Sequence, residues 1–109
     1  MTTVRMTTPE ELNTWMADGA AVIVDVREPH EYEQAHIPGA TLLPLSRFDP
    51  TEVPAVPEGR HLVLHCASGV RCGTAAAALS AAGYAGTINR LEGGIVAWYR
   101  AGGALESGA

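Results

Sequence analysis

Basic residues are scarce in this chain of 109 residues, 7 against 12 acidic, which leaves a formal net charge of −5. That balance argues against nucleic acid or an anionic membrane surface as the main partner, while leaving room for a local basic pocket. No apolar run approaches the length of a membrane span, and the opening MTTVRMTTPE has no apolar core of a secretory leader. The expectation is a soluble, cytoplasmic protein without a membrane or nucleic-acid partner. Cysteine is also rare. Cys66 and Cys72 are the two present, too few for a disulfide framework and not spaced as CxxC, and 4 histidines do not complete a metal set. Neither a bound metal nor a cofactor is expected, and no internal repeat is visible.

What is present suffices for a fold. Hydrophobic residues make up 47% of the chain, enough for one packed domain of this length. The organising stretch is HLVLHCASGVRCGTAAAALSAA, His61 to Ala82. The apolar run Leu62-Val63-Leu64 reads as a buried strand that ends at Cys66. The loop Ala67-Ser68-Gly69-Val70 follows, and an alanine-rich helix opens at Arg71 and runs to Ala82, where Gly83 stops it. Successive backbone N–H groups in such a loop form an anion-binding nest, and the helix N-terminus adds partial positive charge. Both favour thiolate over thiol at Cys66, and thiolate is the reactive form. Arg71 adds a fixed cation that can grip an oxyanion.

Elsewhere, Thr8-Pro9-Glu10-Glu11 carries a capping box and starts a helix that bears Leu12, Trp15 and Met16 and ends at Asp18-Gly19. Ala21 to Val26 reads as a buried strand, and Pro29 opens a short helix to Gln34. His36 to Ala40 is a turn into a strand at Thr41 to Leu43. The four prolines between Pro44 and Gly59 mark a connecting loop with one helical turn near Leu45 to Phe48. Thr87 to Leu91 is a further strand, Glu92-Gly93-Gly94 a turn, and Ile95 to Arg100 a last helix. Strands alternating with helices predict an α/β domain, a mainly parallel central sheet of about five strands with helices on both faces. One domain covers 1–109, with an ordered core near 4–101 and a tail, 102–109, expected to fray. Ligands in such sheets bind beyond the carboxyl ends of the strands, where Cys66 sits.

Four segments, in order along nearly the whole chain, carry a family resemblance. They are Asp25-Val26-Arg27-Glu28-Pro29-His30-Glu31-Tyr32, His36-Ile37-Pro38-Gly39-Ala40, Cys66-Ala67-Ser68-Gly69-Val70-Arg71, and Leu91-Glu92-Gly93-Gly94 with Trp98. On these the chain resembles a single-domain rhodanese-like protein. The resemblance implies a sulfurtransferase of the thiosulfate type. Cys66 would take a sulfane sulfur from thiosulfate or a similar donor as a persulfide and pass it to cyanide or a thiol, in two covalent steps without metal or organic cofactor. A protein sulfur acceptor is a further possible partner. Alternatives are a persulfide carrier and a non-catalytic rhodanese-like module for protein binding or sensing. Phosphatases and arsenate reductases of the same fold have five residues between Cys and Arg; here four intervene, a tighter ring suited to one sulfur atom.

The charges involved suggest roles. Backbone N–H groups from Ala67 to Arg71 would stabilise the terminal persulfide sulfur, Ser68 could add a hydroxyl, and Gly69 permits a backbone that a Cβ would hinder. Arg71 has two readings, a clamp on the sulfonate of thiosulfate or an ion pair bracing the loop. Asp25, ending a buried strand, reads as structural support through an ion pair or cap. Arg27 could face the loop and favour anionic substrates, while His36 and His65 read as structural. Cys72 is a possible second thiol, either simply buried under the loop or, with its pKa lowered by the helix dipole, able to attack the Cys66 persulfide.

Overall fold

A computed structural model describes residues 2–108. The elements run β1 (Thr2–Thr7), α1 (Pro9–Ala17), β2 (Ala21–Asp25), α2 (Pro29–Gln34), β3 (Thr41–Leu42), two 3-10 turns (Leu45–Arg47 and Pro50–Glu52), β4 (His61–His65), α3 (Arg71–Ala81), β5 (Gly86–Leu91) and α4 (Gly94–Arg100). The five strands form one sheet in the order β1-β5-β4-β2-β3, and every pairing is parallel.

Alternation along the strands divides the core in two. Val24, Leu62, Leu64 and Ile88 face one side, where Cys72, Ala75, Ala76 and Leu79 of α3 cover them. Ile23, Val63 and Leu91 face the other, packed with Leu12 of α1 and with Ile95 and Trp98 of α4. Both faces are therefore apolar, as a parallel sheet clothed by helices requires. The small side chains of α3 bring its axis close to the sheet and hold its first turn under the end of β4.

Local sequence signals set several boundaries. Thr8 accepts from Glu11 N–H while the Glu11 carboxylate accepts from Thr8 N–H, closing the expected capping box before Pro9. Pro29 starts α2, where the Glu31 carboxylate accepts from Glu28 N–H at 3.0 Å.

Two stretches differ from the sequence reading. β1 is an additional strand in a segment with no apolar run. Its pairing with β5 holds it, in register from Thr2 opposite Gly86 to Thr7 opposite Leu91, and an edge strand need not be apolar on both faces. In the tail expected to fray, the residues described, to Gly108, make defined contacts. Glu106 exchanges both backbone hydrogen bonds with His36, at 2.8 and 2.9 Å, Gly108 N–H donates to Glu33, and Trp98 Nε1–H donates to the Ala104 carbonyl at 2.8 Å. The pattern of small residues after Gly102 hides this, because backbone contacts and one indole N–H supply the attachment.

Candidate functional site

β4 ends at His65 and delivers Cys66 to the carboxyl edge of the sheet, with its residue only 1% exposed. The loop 67–70 then curls around the sulfur. Gly69 N–H donates to Cys66 Sγ at 3.1 Å, in a conformation with φ of +102° that favours glycine. A second layer fixes the curl from behind. Ile95 N–H donates to the Cys66 carbonyl at 2.9 Å and Val96 N–H to the Ala67 carbonyl at 3.2 Å, so the start of α4 takes up the outward-facing carbonyls of the loop. The N–H groups of Ser68, Gly69 and Cys72 are left toward the sulfur.

This environment holds the Cys66 thiol down to about 5. The neighbouring Cys72 side chain contributes most as a hydrogen-bond partner; burial opposes it, and the N–H groups of Cys72, Gly69 and Ser68 add to it. Cys66 therefore stands as thiolate at neutral pH. We expect its ultraviolet thiolate absorbance to titrate with a midpoint near 5 and to be lost in Cys66→Ser; a midpoint at the ordinary thiol value of 9.0 would contradict the site described.

Of the two readings of Cys72, its surroundings match the thiol buried under the loop. Although it lies in the first turn of α3, its pKa is raised rather than lowered, first by its hydrogen bond with Cys66 and then by burial. The helix dipole is outweighed because two adjacent sulfurs cannot both ionise cheaply. A protonated, fully buried Cys72 is a hydrogen-bond donor in the resting protein and a poor nucleophile.

The arginines are placed as braces. Arg71 makes a two-bond fork to Glu31 of α2, Nη1 to Oε1 at 2.7 Å and Nη2 to Oε2 at 2.8 Å. Of its two readings, this geometry is the ion pair. Arg27 is turned to Asp25. It is 5% exposed, and its Nε and Nη2 grip the Asp25 carboxylate while Nη2 also reaches the Ala35 carbonyl. The reason is Asp25 itself, a fully buried carboxylate that requires a cation and finds it two residues away. His65 lies beside the same carboxylate at 3.6 Å, its burial favouring the neutral ring, and His36 stacks on Tyr32 and pairs with Glu106. Ser68 and Val70 are exposed at the rim and Ala67 is half-buried. Among the described residues no group of three or more His, Cys, Asp or Glu could hold a metal.

Glu31, held to about 2 chiefly by Arg71, gives a pH signature. A carboxylate depressed on folding contributes its full stability above its ordinary value of 4.5 and loses it as the pH falls through about 2. Thermal melts are therefore expected to decline across that window, and Glu31→Gln to flatten the decline; an unchanged slope in the variant would remove the brace from the account.

Two groups of the site escaped sequence reasoning. Arg90 of β5 donates from Nη2 to the Gly69 carbonyl at 2.8 Å. Glu31 stood in a recognised segment, but nothing local tied it to Arg71, forty residues away. Gly94 was read as part of a turn, yet it is also the point of closest approach to the loop, since a Cβ there would lie 2.5 Å from the carbonyl oxygens of both Cys66 and Ala67.

Known proteins share this fold. The sequence matches the rhodanese-like domain over residues 8–101. It is 40% identical over 94 residues to a sulfurtransferase of Allochromatium vinosum, covering 85% of this chain and 86% of that protein. It is 42% identical over 93 residues to the probable adenylyltransferase/sulfurtransferase MoeZ of Mycobacterium tuberculosis, covering 84% of this chain but 24% of that protein. A thiosulfate sulfurtransferase from Pseudomonas aeruginosa superposes with a TM-score of 0.80 at 25% identity, over 97% of this chain and 21% of that one. The chain spans about a quarter to a half of the longer curated relatives it matches. No helix among the described residues is long and apolar enough to cross a membrane. With the matched span reaching from the cap of α1 to the end of α4 and enclosing the cysteine loop, the chain belongs to the family of rhodanese-like domains.

Proposed function

We propose that the protein is a sulfurtransferase that carries a sulfane sulfur as a persulfide on Cys66, from thiosulfate or a similar small sulfur anion to cyanide or a thiol. The observation that carries the reading is the Cys66 sulfur itself, buried at the end of β4 with Gly69 N–H donating to it at 3.1 Å, in surroundings that lower its pKa. Such donors stabilise negative charge on the cysteine sulfur and on a sulfur attached to it, without needing a general base. The ring from Ala67 to Arg71 is the substrate-facing surface in this reading, and Asp25 with Arg27 supports it from the sheet. Two free thiols fit a reducing cytoplasm, and the chemistry calls for no cofactor.

A persulfide carrier for a protein acceptor is the second reading. Val70, 74% exposed at the crown of the loop, offers an apolar contact that a small anion does not use. One experiment tests the central claim. Intact mass after incubation with thiosulfate and no acceptor is expected to rise by one sulfur atom in the wild type and not in Cys66→Ser, and cyanide is expected to return the mass and release thiocyanate. No gain with thiosulfate or any other sulfane donor would overturn the sulfurtransferase reading. Loading without discharge to cyanide would favour the carrier.

A further inference from the structure

The backbone of Gly69 is put to two uses. Its N–H donates to Cys66 Sγ at 3.1 Å, while its carbonyl accepts twice, from Cys72 Sγ at 3.3 Å and from Arg90 Nη2 of β5 at 2.8 Å. A glycine with φ of +102° has no side chain to bias its backbone, so nothing within residue 69 fixes the direction of that N–H. The constraint comes from outside, and the carbonyl is where two side chains hold it.

Two features show what the fold gives up to bring Arg90 there. Gly73 lies inside α3 without positive φ, where alanine would be the better helix former. A Cβ on residue 73 would lie 2.8 Å from Arg90 Nη2 and 3.0 Å from Cζ, so the missing side chain is the passage for the guanidinium. Arg90 Nε is also buried without a hydrogen-bond partner, a rare condition that calls for a physical reason. Arg27 and Arg71 each grip a carboxylate, whereas among the described residues no carboxylate pairs with Arg90.

We propose that Arg90 is a positioning residue for Cys66: reaching through the gap at Gly73, it holds the Gly69 carbonyl beside the Cys72 thiol and so keeps the Gly69 N–H on the Cys66 sulfur. The guanidinium makes a strong, charge-assisted bond and the thiol a weak one, so Arg90 supplies most of the hold.

The consequence for catalysis rests on the sulfurtransferase reading. When an acceptor thiolate attacks the outer sulfur of the Cys66 persulfide, RS⁻ and Cys66–S–SH give RS–SH and Cys66–S⁻. The new S–S bond forms as the old one breaks, the proton stays on the transferred sulfur, and the electron pair of the broken bond returns to Cys66. A Gly69 N–H already in place meets that charge without rearrangement. Arg90 acts on the step only through Gly69.

Other charged groups also face Cys66. Arg71, paired with Glu31 of α2, comes from α3, and His65 and the Asp25–Arg27 pair come from the ends of β4 and β2. Removing the Arg90 charge raises a thiolate titration through its field alone, so the decisive variant keeps every charge. Gly73→Ala does so. Its new methyl meets the far end of a flexible side chain, which swings off the carbonyl while the helix gains a better former.

Thiolate absorbance read against pH is expected to place the Cys66 midpoint about one unit higher in Gly73→Ala, the loss of one hydrogen bond to a charged sulfur. In protein carrying isotope-labelled glycine, the Gly69 amide proton resonance is expected to move upfield in the same variant. Arg90→Met is expected to raise the midpoint at least as far, and adding Gly73→Ala to it is expected to change nothing more. An unmoved midpoint or an unmoved Gly69 amide in Gly73→Ala would overturn the proposal. So would a full Gly73→Ala shift in the Arg90→Met background, which would locate the effect in the helix. If circular dichroism shows Gly73→Ala unfolded, the Gly69 amide of Arg90→Met decides, moving upfield or overturning the proposal by staying in place. None of these readouts requires a sulfur donor, so they keep their meaning even if Cys66 never accepts sulfur.

Discussion

Asp25→Ala is expected to cost about 3–5 kcal/mol of folding stability, because it leaves the buried Arg27 guanidinium without its anion. Four hydrogen bonds converge on that carboxylate, one from the Arg27 backbone N–H and three from its side chain, and both side chains lie at the junction of β2 with the loop that leads to α2. Domains of this kind are stable by only about 5–15 kcal/mol, so the variant should lose a large share of its margin. Urea unfolding gives the measurement. Arg27→Met added to Asp25→Leu should recover much of the loss, since removing both charges leaves nothing buried and unpaired. A single-variant cost below about 1 kcal/mol would mean that water or another group already neutralises Arg27. The pair also bears on the site. Val26 N–H donates to the His65 carbonyl and Leu43 N–H to the Asp25 carbonyl, so a disordered end of β2 would release the strand that carries Cys66.

Gly94→Ala carries the second large effect. Its φ is +61°, and a Cβ would press against the Cys66 and Ala67 carbonyl oxygens at 2.5 Å, backbone atoms that cannot swing aside. Overpacking of about 1–3 kcal/mol adds to about 1–2 kcal/mol for an L side chain in the left-handed region, roughly 2–5 kcal/mol together. The internal control is Gly83→Ala. Gly83 also has positive φ, +87°, but nothing lies within 4 Å of its Cβ position, so only the conformational part of about 1–2 kcal/mol is expected. Gly94→Ala should also raise the Cys66 titration midpoint, by pushing the loop off the start of α4 and turning its N–H groups away from the sulfur, whereas Gly83→Ala should leave it in place. Equal costs and equal midpoints in the two variants would show that the contact with the loop carbonyls does not matter.

These two sites also mark where sequence reading stops. Strands with a continuous apolar run, Ala21 to Asp25 and His61 to His65, are written plainly because both faces must be buried. Helices that begin at Pro9 and Pro29 are legible because caps are local chemistry. Cys66 and its loop are legible because strand, loop and helix follow one another without a break. β1 carries no such signal, since what holds it is pairing with β5 across more than eighty positions. The charged partners fail in the same way. Arg71 finds Glu31 and Arg90 finds Gly69 only once α2 and β5 stand beside the loop, and no spacing along the chain encodes that. Asp25 was legible as a buried carboxylate in need of a partner, but nothing local showed that the partner would be Arg27.

One feature of the loop bears on how such a domain acquires new tasks. Apart from the Cys72 thiol, the hydrogen bonds to the Cys66 sulfur come from main-chain N–H groups, and α4 fixes the carbonyls that face away from it. The side chains of Ala67, Ser68 and Val70 therefore hold none of the charge. Electrostatics and recognition are written in separate parts of the same few residues, so those three positions can be rewritten while the thiolate persists. A library randomised at 67, 68 and 70 should yield proteins that share one titration midpoint and differ widely in the sulfur donors and acceptors they accept.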